Sequence, residues 1–74
     1  MRGRQNDAEG TSRLTNRELE CIKLVADGGS AKEIGQLIGV APRTVEKHLD
    51  QARLKLGAKN RAHLVAAAFS IGLI

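Results

Sequence analysis

The sequence predicts an all-α fold, a four-helix bundle, and three observations support this prediction. Apolar residues recur with the 3.6-residue period of a helix in each segment after residue 13, and no alternating strand pattern is visible. Helix start signals precede four segments, and a glycine follows each of them. The chain has 74 residues, which suits one domain near the lower limit for independent folding.

The first thirteen residues predict a flexible arm or linker. They show no apolar periodicity, and they combine Gly, Asn, Asp and Ser with charges of both signs. We therefore expect the folded domain to occupy residues 14–74.

Two capping boxes predict where the first two helices begin. Thr15 and Glu18 have the T-x-x-E spacing, and Ser30 and Glu33 have the S-x-x-E spacing. The first helix is expected to run to about residue 27, where two glycines follow, and the second to end at Gly39. The residues expected to face the core are Leu19, Ile22, Val25 and Ala26 of the first helix, and Ile34, Leu37 and Ile38 of the second.

Pro42 predicts the start of a third helix, because the first turn does not need the N–H that proline lacks. Ala41 would be its N-cap, although it has no side-chain oxygen for capping. Gly57 would end it. At about 100° per residue, one narrow arc of this helix is apolar and predicts its core face. This arc contains Val45, Leu49, Ala52 and Leu56.

Asn60 predicts the N-cap of a fourth helix that runs to about residue 70. No polar side chain occurs from Leu64 to Phe69, whereas a helix of a monomer keeps one polar face. If part of this run faces the core, small residues point away and suit the close approach of a second copy. The predicted homodimer interface is His63, Ala66, Ala67 and Ser70. An ordinary alanine-rich helix is the alternative.

Charge is concentrated in the C-terminal half. The formal net charge is +4. Residues 42–61 contain six Lys or Arg against two carboxylates, whereas residues 14–41 contain three against four. A basic face of this kind suits a polyanion, although an ordinary soluble surface would explain the charge equally well.

A short capped helix, a glycine turn and a basic helix together predict a helix-turn-helix, whose second helix enters the major groove of DNA. Its outward cations could donate to guanine or phosphate, its glutamine could pair with adenine, and its carboxylates could accept from cytosine. Lys32 and Thr44 would contact the DNA backbone. The predicted DNA-binding residues are Lys32, Arg43, Thr44, Glu46, Lys47, Asp50 and Gln51. A solvated polar face is the alternative.

Other classes of function lack a matching pattern. Cys21 is the only cysteine, it lies among apolar residues, and with His48 and His63 it matches no zinc spacing. No Cys–His pair, paired carboxylates or phosphate loop is recognisable, so we expect neither an enzyme nor a cofactor. No signal peptide or membrane-length apolar run is visible. We therefore expect a cytoplasmic protein with no membrane partner.

Several motifs in register resemble the LuxR-type (GerE-like) helix-turn-helix domain over residues 14–74. They are LTxRE at 14–18, GSAKEI at 29–34, TVxxHL at 44–49, KLG at 55–57, NR at 60–61 and GLI at 72–74. A sigma-factor segment has a similar helix layout, but the KLG and NR motifs favour the LuxR type. The tail at 61–74 is most similar to the quorum-sensing branch. The resemblance implies the DNA-binding domain of a bacterial transcription regulator, with double-stranded DNA and RNA polymerase as partners.

The same resemblance leaves two questions open. Such regulators usually have a separate N-terminal sensor or receiver domain, so we expect this chain to be a DNA-binding fragment and not a stand-alone member. Glu46 and Asp50 occupy positions where relatives often have Lys or Arg. They could sharpen specificity, or they could mark an anti-activator that pairs with a related regulator and makes no useful DNA contact.

Overall fold

The computed structural model describes residues 14–74, and this part of the chain is entirely helical apart from its turns. Its helices are α1 (Asn16–Ala26), α2 (Ala31–Ile38), α3 (Pro42–Leu56) and α4 (Arg61–Ser70). The predicted all-α bundle is confirmed for this range, and the predicted arm at residues 1–13 lies outside it. Within residues 14–74, no helix has both the length and the apolar character needed to cross a membrane.

Reciprocal hydrogen bonds close the starts of α1 and α2, as both capping boxes predicted. The Glu18 N–H donates to Thr15 Oγ1 at 3.0 Å, and the Thr15 N–H donates to Glu18 Oε1 at 2.9 Å. The corresponding distances between Ser30 and Glu33 are 3.1 and 2.9 Å. Each box therefore satisfies two backbone donors that would otherwise lack a partner at a helix start.

The starts of α3 and α4 differ in their capping. Ala41 precedes α3 with an extended backbone and no side-chain cap, as expected. Asn60 Oδ1 accepts from the His63 N–H at 2.8 Å, which confirms the predicted cap of α4. His63 Nδ1 in turn accepts from the Lys59 N–H at 3.0 Å. The sequence did not suggest this second bond. The histidine accepts from the residue before the N-cap, whereas Glu18 and Glu33 accept from the N-cap itself.

The core lies around α3, which contacts each of the other helices. Val45, Leu49 and Ala52 are buried as predicted, and Leu56 is partly buried. Cys21 is buried too, and burial raises the pKa of its thiol, as expected for a packing residue. The buried apolar residues of the described chain are Cys21, Ile22, Ile34, Val45, Leu49, Ala52, Ala58, Leu64 and Ala68.

Two expectations about the core are wrong. Leu37 is 72% exposed, and Ala26 is also exposed, although both were expected to face inward. The buried side of α2 is formed by Ile34 and Gly35, and not by Ile34 and Leu37, because α2 packs closely on the start of α3 at Gly35. Leu37 therefore lies outside the core. The buried side of α1 is displaced towards Glu18 and Cys21, so Ala26 lies at its edge.

The turn between α2 and α3 depends on two glycines. Gly39 adopts a left-handed backbone with φ of 78°, and its N–H donates to the Gly35 carbonyl at 2.8 Å. A Cβ at Gly35 would lie 2.5 Å from the Val40 carbonyl oxygen. The close approach of the backbones at residues 35 and 40 therefore sets the angle between α2 and α3.

Candidate nucleic-acid interface

The outward face of α3 presents three polar side chains that have no hydrogen bond or ion pair with another residue of 14–74. These are Arg43, Lys47 and Gln51, and all three are exposed. They lie opposite the buried arc of the same helix, as predicted. The core residues fix the helix, and its donors remain available to a ligand.

The two carboxylates of this face have partners within the protein. Glu46 Oε1 accepts from the Arg61 guanidinium at the start of α4. Asp50 Oδ1 accepts from Arg53 Nε at 3.2 Å and from the Arg53 NH2 group at 2.9 Å. Their acceptor capacity is therefore partly used, and their negative charge is balanced locally.

Arg53 also connects α3 to the following turn. Its NH1 group donates to the Ala58 carbonyl at 3.2 Å, while its other donors bond to Asp50. The Asp50 side chain is therefore part of a structural contact that supports the end of α3.

An open groove of about 510 Å³ separates α3 from the start of α4. Cations and carboxylates line most of it, and two apolar residues form its base. Its lining residues are Arg43, Glu46, Lys47, Leu49, Asp50, Arg53, Asn60, Arg61 and Leu64. The groove therefore continues the charged surface of α3 onto α4.

Lys32 and Thr44, the two predicted backbone contacts, lie at the beginnings of neighbouring helices. Lys32 is exposed in the first turn of α2, and Thr44 is partly buried in the first turn of α3. The structure thus places five of the seven predicted DNA-binding residues on the outward side of α3. Thr44 lies beside the turn that leads into α3, whereas Lys32 lies at the opposite end of α2 from that turn.

A partly buried ion pair joins α3 to α1. Lys55 Nζ lies 2.8 and 3.0 Å from the two carboxylate oxygens of Glu18. Burial alone would raise the pKa of Glu18, but the hydrogen bonds from Lys55 and from the Thr15 N–H outweigh it. The pKa of Glu18 therefore lies below its ordinary value. This pair orients the helix on which the candidate interface lies.

Sequence reasoning missed Arg53 and Arg61 as parts of this surface. The Asp50–Arg53 spacing of three residues is a recognisable helical pair. The Glu46–Arg61 pair leaves no such signal, because it joins two helices across a turn.

The outward face of α4 contains most of the predicted dimer residues. Ala66, Ser70 and His63 are exposed, and Ala67 is partly buried. Leu64 and Ala68 are buried, as expected for the core side. Phe69 is 71% exposed beside the small residues, and the sequence prediction did not include it.

Comparisons with known proteins agree with the earlier resemblance. Residues 12–68 match the family model GerE, bacterial regulatory proteins, luxR family. The chain is 50% identical over 58 residues to the transcriptional activator protein BjaR1 of Bradyrhizobium diazoefficiens, which covers 78% of this chain and 24% of the relative. It is 41% identical over 66 residues to the transcriptional activator protein SolR of Ralstonia nicotianae, which covers 89% and 28%.

A third relative is the HTH-type quorum sensing-dependent transcriptional regulator VjbR of Brucella ovis. The identity is 40% over 63 residues, with 85% of this chain and 24% of the relative covered. The chain thus spans about a quarter of the length of these relatives, whose names all describe transcriptional regulators. Because the family model covers most of the folded domain, the chain belongs to the luxR family of bacterial regulatory proteins.

Proposed function

We propose that the chain binds specific sequences of double-stranded DNA, with α3 in the major groove, as the DNA-binding part of a transcription regulator. One observation supports this most strongly: Arg43, Lys47 and Gln51 project from one face of α3 without partners in residues 14–74. An exposed helix face with free donors matches the hydrogen-bonding edges that bases present in the major groove.

The roles within this site follow from side-chain chemistry. Arg43 and Lys47 donate to guanine or to phosphate, and Gln51 pairs with adenine. Lys32 and Thr44 contact the DNA backbone beside the helix. Base acceptance by Glu46 and Asp50 stays a prediction, and their bonds to Arg61 and Arg53 reduce the capacity for it.

Selection from a pool of random duplex DNA at near-physiological salt tests this function. We expect the chain to enrich one sequence, and Lys47→Ala to weaken binding to that sequence by about 5- to 150-fold. Lys23→Ala is the matched control, because it removes the same charge from α1, beside Phe69 and Leu73. That variant should bind nearly as tightly as the unchanged chain.

Two results would contradict the proposal. Either no sequence is enriched, or Lys47→Ala and Lys23→Ala weaken binding equally. In both cases the alternative function, a module that pairs with a related regulator without useful DNA contact, becomes the better explanation.

We further propose that two copies bind together through α4. A small-residue surface beside an exposed Phe69 would let two α4 helices approach closely, with His63, Ala66, Ala67 and Ser70 at the contact. A two-fold axis through this contact would present two α3 helices to successive turns of a palindromic site.

Sedimentation with and without the selected palindrome measures this assembly. We expect two chains per site, and we expect Ala66→Glu to reduce the complex to one chain, because it would bury like charges opposite each other. Asn16→Glu, which adds the same charge at an exposed position at the start of α1, should leave two chains bound. One chain per site for the unchanged protein would contradict the dimer.

The wider biological role follows from the relatives. A relative named as quorum sensing-dependent supports a role in a regulator of that kind. Action on bacterial DNA implies a cytoplasmic location, and RNA polymerase stays a predicted partner.

A further inference from the structure

We propose that Arg61 is a further DNA-contacting residue that donates to a backbone phosphate, and that Glu46 is the positioning residue that holds it. The proposal rests on the DNA-binding function proposed above. It assigns the Glu46 carboxylate to a neighbouring side chain and not to a base.

The first argument is the place of Arg61 in the groove between α3 and α4. Arg61 lines this groove together with Arg43 and Lys47, whose side chains have no partner in the described chain. When α3 lies in the major groove, its flanks face the sugar–phosphate backbone that borders the groove. A cation on the α4 wall is therefore placed towards phosphate, and not towards base edges.

The second argument is the number of donors that remain on each arginine of this groove. A guanidinium has five N–H donors in a fixed planar arrangement. Arg53 uses Nε and both terminal nitrogens on Asp50 and Ala58, and 29% of its side chain is exposed. Arg61 uses one terminal nitrogen, on Glu46, and 44% of its side chain is exposed. Arg61 therefore keeps the donors and the access that a phosphate contact requires.

The third argument concerns what the Glu46–Arg61 pair does. The Glu46 side chain is 52% exposed, so the pair lies in solvent and adds little to the stability of the fold. It does connect the outward side of α3 to the first turn of α4. A carboxylate at this place limits where an otherwise flexible guanidinium lies, and so reduces the entropy lost when a phosphate binds.

The salt dependence of DNA binding by the 74-residue chain tests the role of Arg61. Each phosphate contact contributes about 0.9 to the slope of log affinity against log salt concentration. With the selected duplex, we expect Arg61→Ala to reduce this slope by about one and to weaken binding similarly for cognate and unrelated sequences. The matched control is Lys59→Ala, which removes the same charge two residues away, outside the groove. It should change the slope by less than half as much.

A double-mutant cycle tests the role of Glu46. Glu46→Gln removes a carboxylate near phosphates, which alone should tighten binding. In the Arg61→Ala background, we expect Glu46→Gln to increase the affinity for DNA. When Arg61 is present, we expect this increase to be at least threefold smaller, or reversed. Arg61→Lys should keep most of the salt slope but weaken the coupling to Glu46, because an ammonium that donates to Glu46 has no second planar edge to present to a phosphate. Circular dichroism of each variant checks that the helices remain.

Several outcomes would overturn the inference while leaving the proposed function intact. Arg61→Ala could lower the slope no more than Lys59→Ala, or Glu46→Gln could have the same effect in both backgrounds. Glu46→Gln could also change the preferred base at one position, which would make Glu46 a base acceptor. By contrast, failure of the unchanged chain to enrich any sequence would refute the function itself.

Discussion

Lys55 Nζ lies 2.8 Å from Glu18 Oε1 and 3.0 Å from Glu18 Oε2, and so joins the last turn of α3 to the first turn of α1. Glu18 is only 4% exposed, and its Oε1 also accepts from the Thr15 N–H. One buried carboxylate thus caps α1 and orients α3. The orientation of the candidate DNA-binding helix depends on a side chain 37 residues earlier in the chain.

Removal of the Lys55 charge should destabilise the fold. Lys55→Met keeps the apolar stem but leaves Glu18 buried with the Thr15 N–H as its remaining described donor, at a cost of about 1–3 kcal/mol. Lys47→Met, at an exposed position of the same helix, should change the free energy of unfolding by less than about 0.5 kcal/mol. Urea denaturation measures both variants, and equal stabilities would contradict the structural role of the pair.

Stability should fall in acid partly through Glu18. Burial raises the pKa of this carboxyl, but hydrogen bonds from Lys55 and Thr15 outweigh burial, so its pKa is lowered in the folded state. Its stabilising contribution is therefore fully present above the unfolded value of about 4.3. That contribution is lost as pH falls through the lower folded value.

Glu18→Gln keeps the capping geometry without a titrating group. We expect the unfolding free energies of this variant and of the unchanged chain to differ at pH 6 and to converge towards pH 3. Denaturation at a series of pH values measures this. A difference that stays constant with pH would show that Glu18 titrates alike in the folded and unfolded chain.

A cap at the start of α3 should stabilise the domain. Ala41 has the extended backbone of an N-cap but no side chain that bonds to the helix. Ala41→Ser should therefore raise the free energy of unfolding by about 1 kcal/mol. Ser30→Ala, which removes an existing cap from α2, should lower it by a similar amount. Thermal denaturation of both variants checks the opposite signs, and a shift in the same direction would refute the argument.

Any side chain at Gly35 should disturb the turn before α3. The Cβ of Gly35→Ala would lie 2.5 Å from the Val40 carbonyl oxygen, a backbone atom that can move only with the turn. Alanine gains about 1 kcal/mol of helix propensity over glycine, but overpacking costs about 1–3 kcal/mol, so we expect net destabilisation. Gln36→Ala, at the next and exposed position, should be nearly neutral. A Gly35→Ala variant more stable than the original would exclude so close a contact.

Local patterns predicted most of the fold. Helix boundaries followed from short-range chemistry such as Ser30–Glu33 and the left-handed Gly39, because these bonds involve residues three or four apart. Periodicity also placed Val45 and Leu49 in the core. It was wrong for Leu37, because the buried side of a two-turn helix depends on where its neighbour packs.

For the candidate site, periodicity placed Arg43, Lys47 and Gln51 on one outward face, and the structure agrees. It could not show that Glu46 has a partner on α4, since residues 46 and 61 become neighbours only when two helices pack together.

The sequence by itself therefore determined the helices, their caps, the family and the polar face of α3, because each depends on residues close together in the chain. Only the tertiary structure decided which charges have partners. It brought Lys55 to Glu18 and Arg61 to Glu46, and so separated the donors left for a ligand from those already used within the protein. The physical reason is that an ion pair depends on distance in space, which a linear pattern does not record.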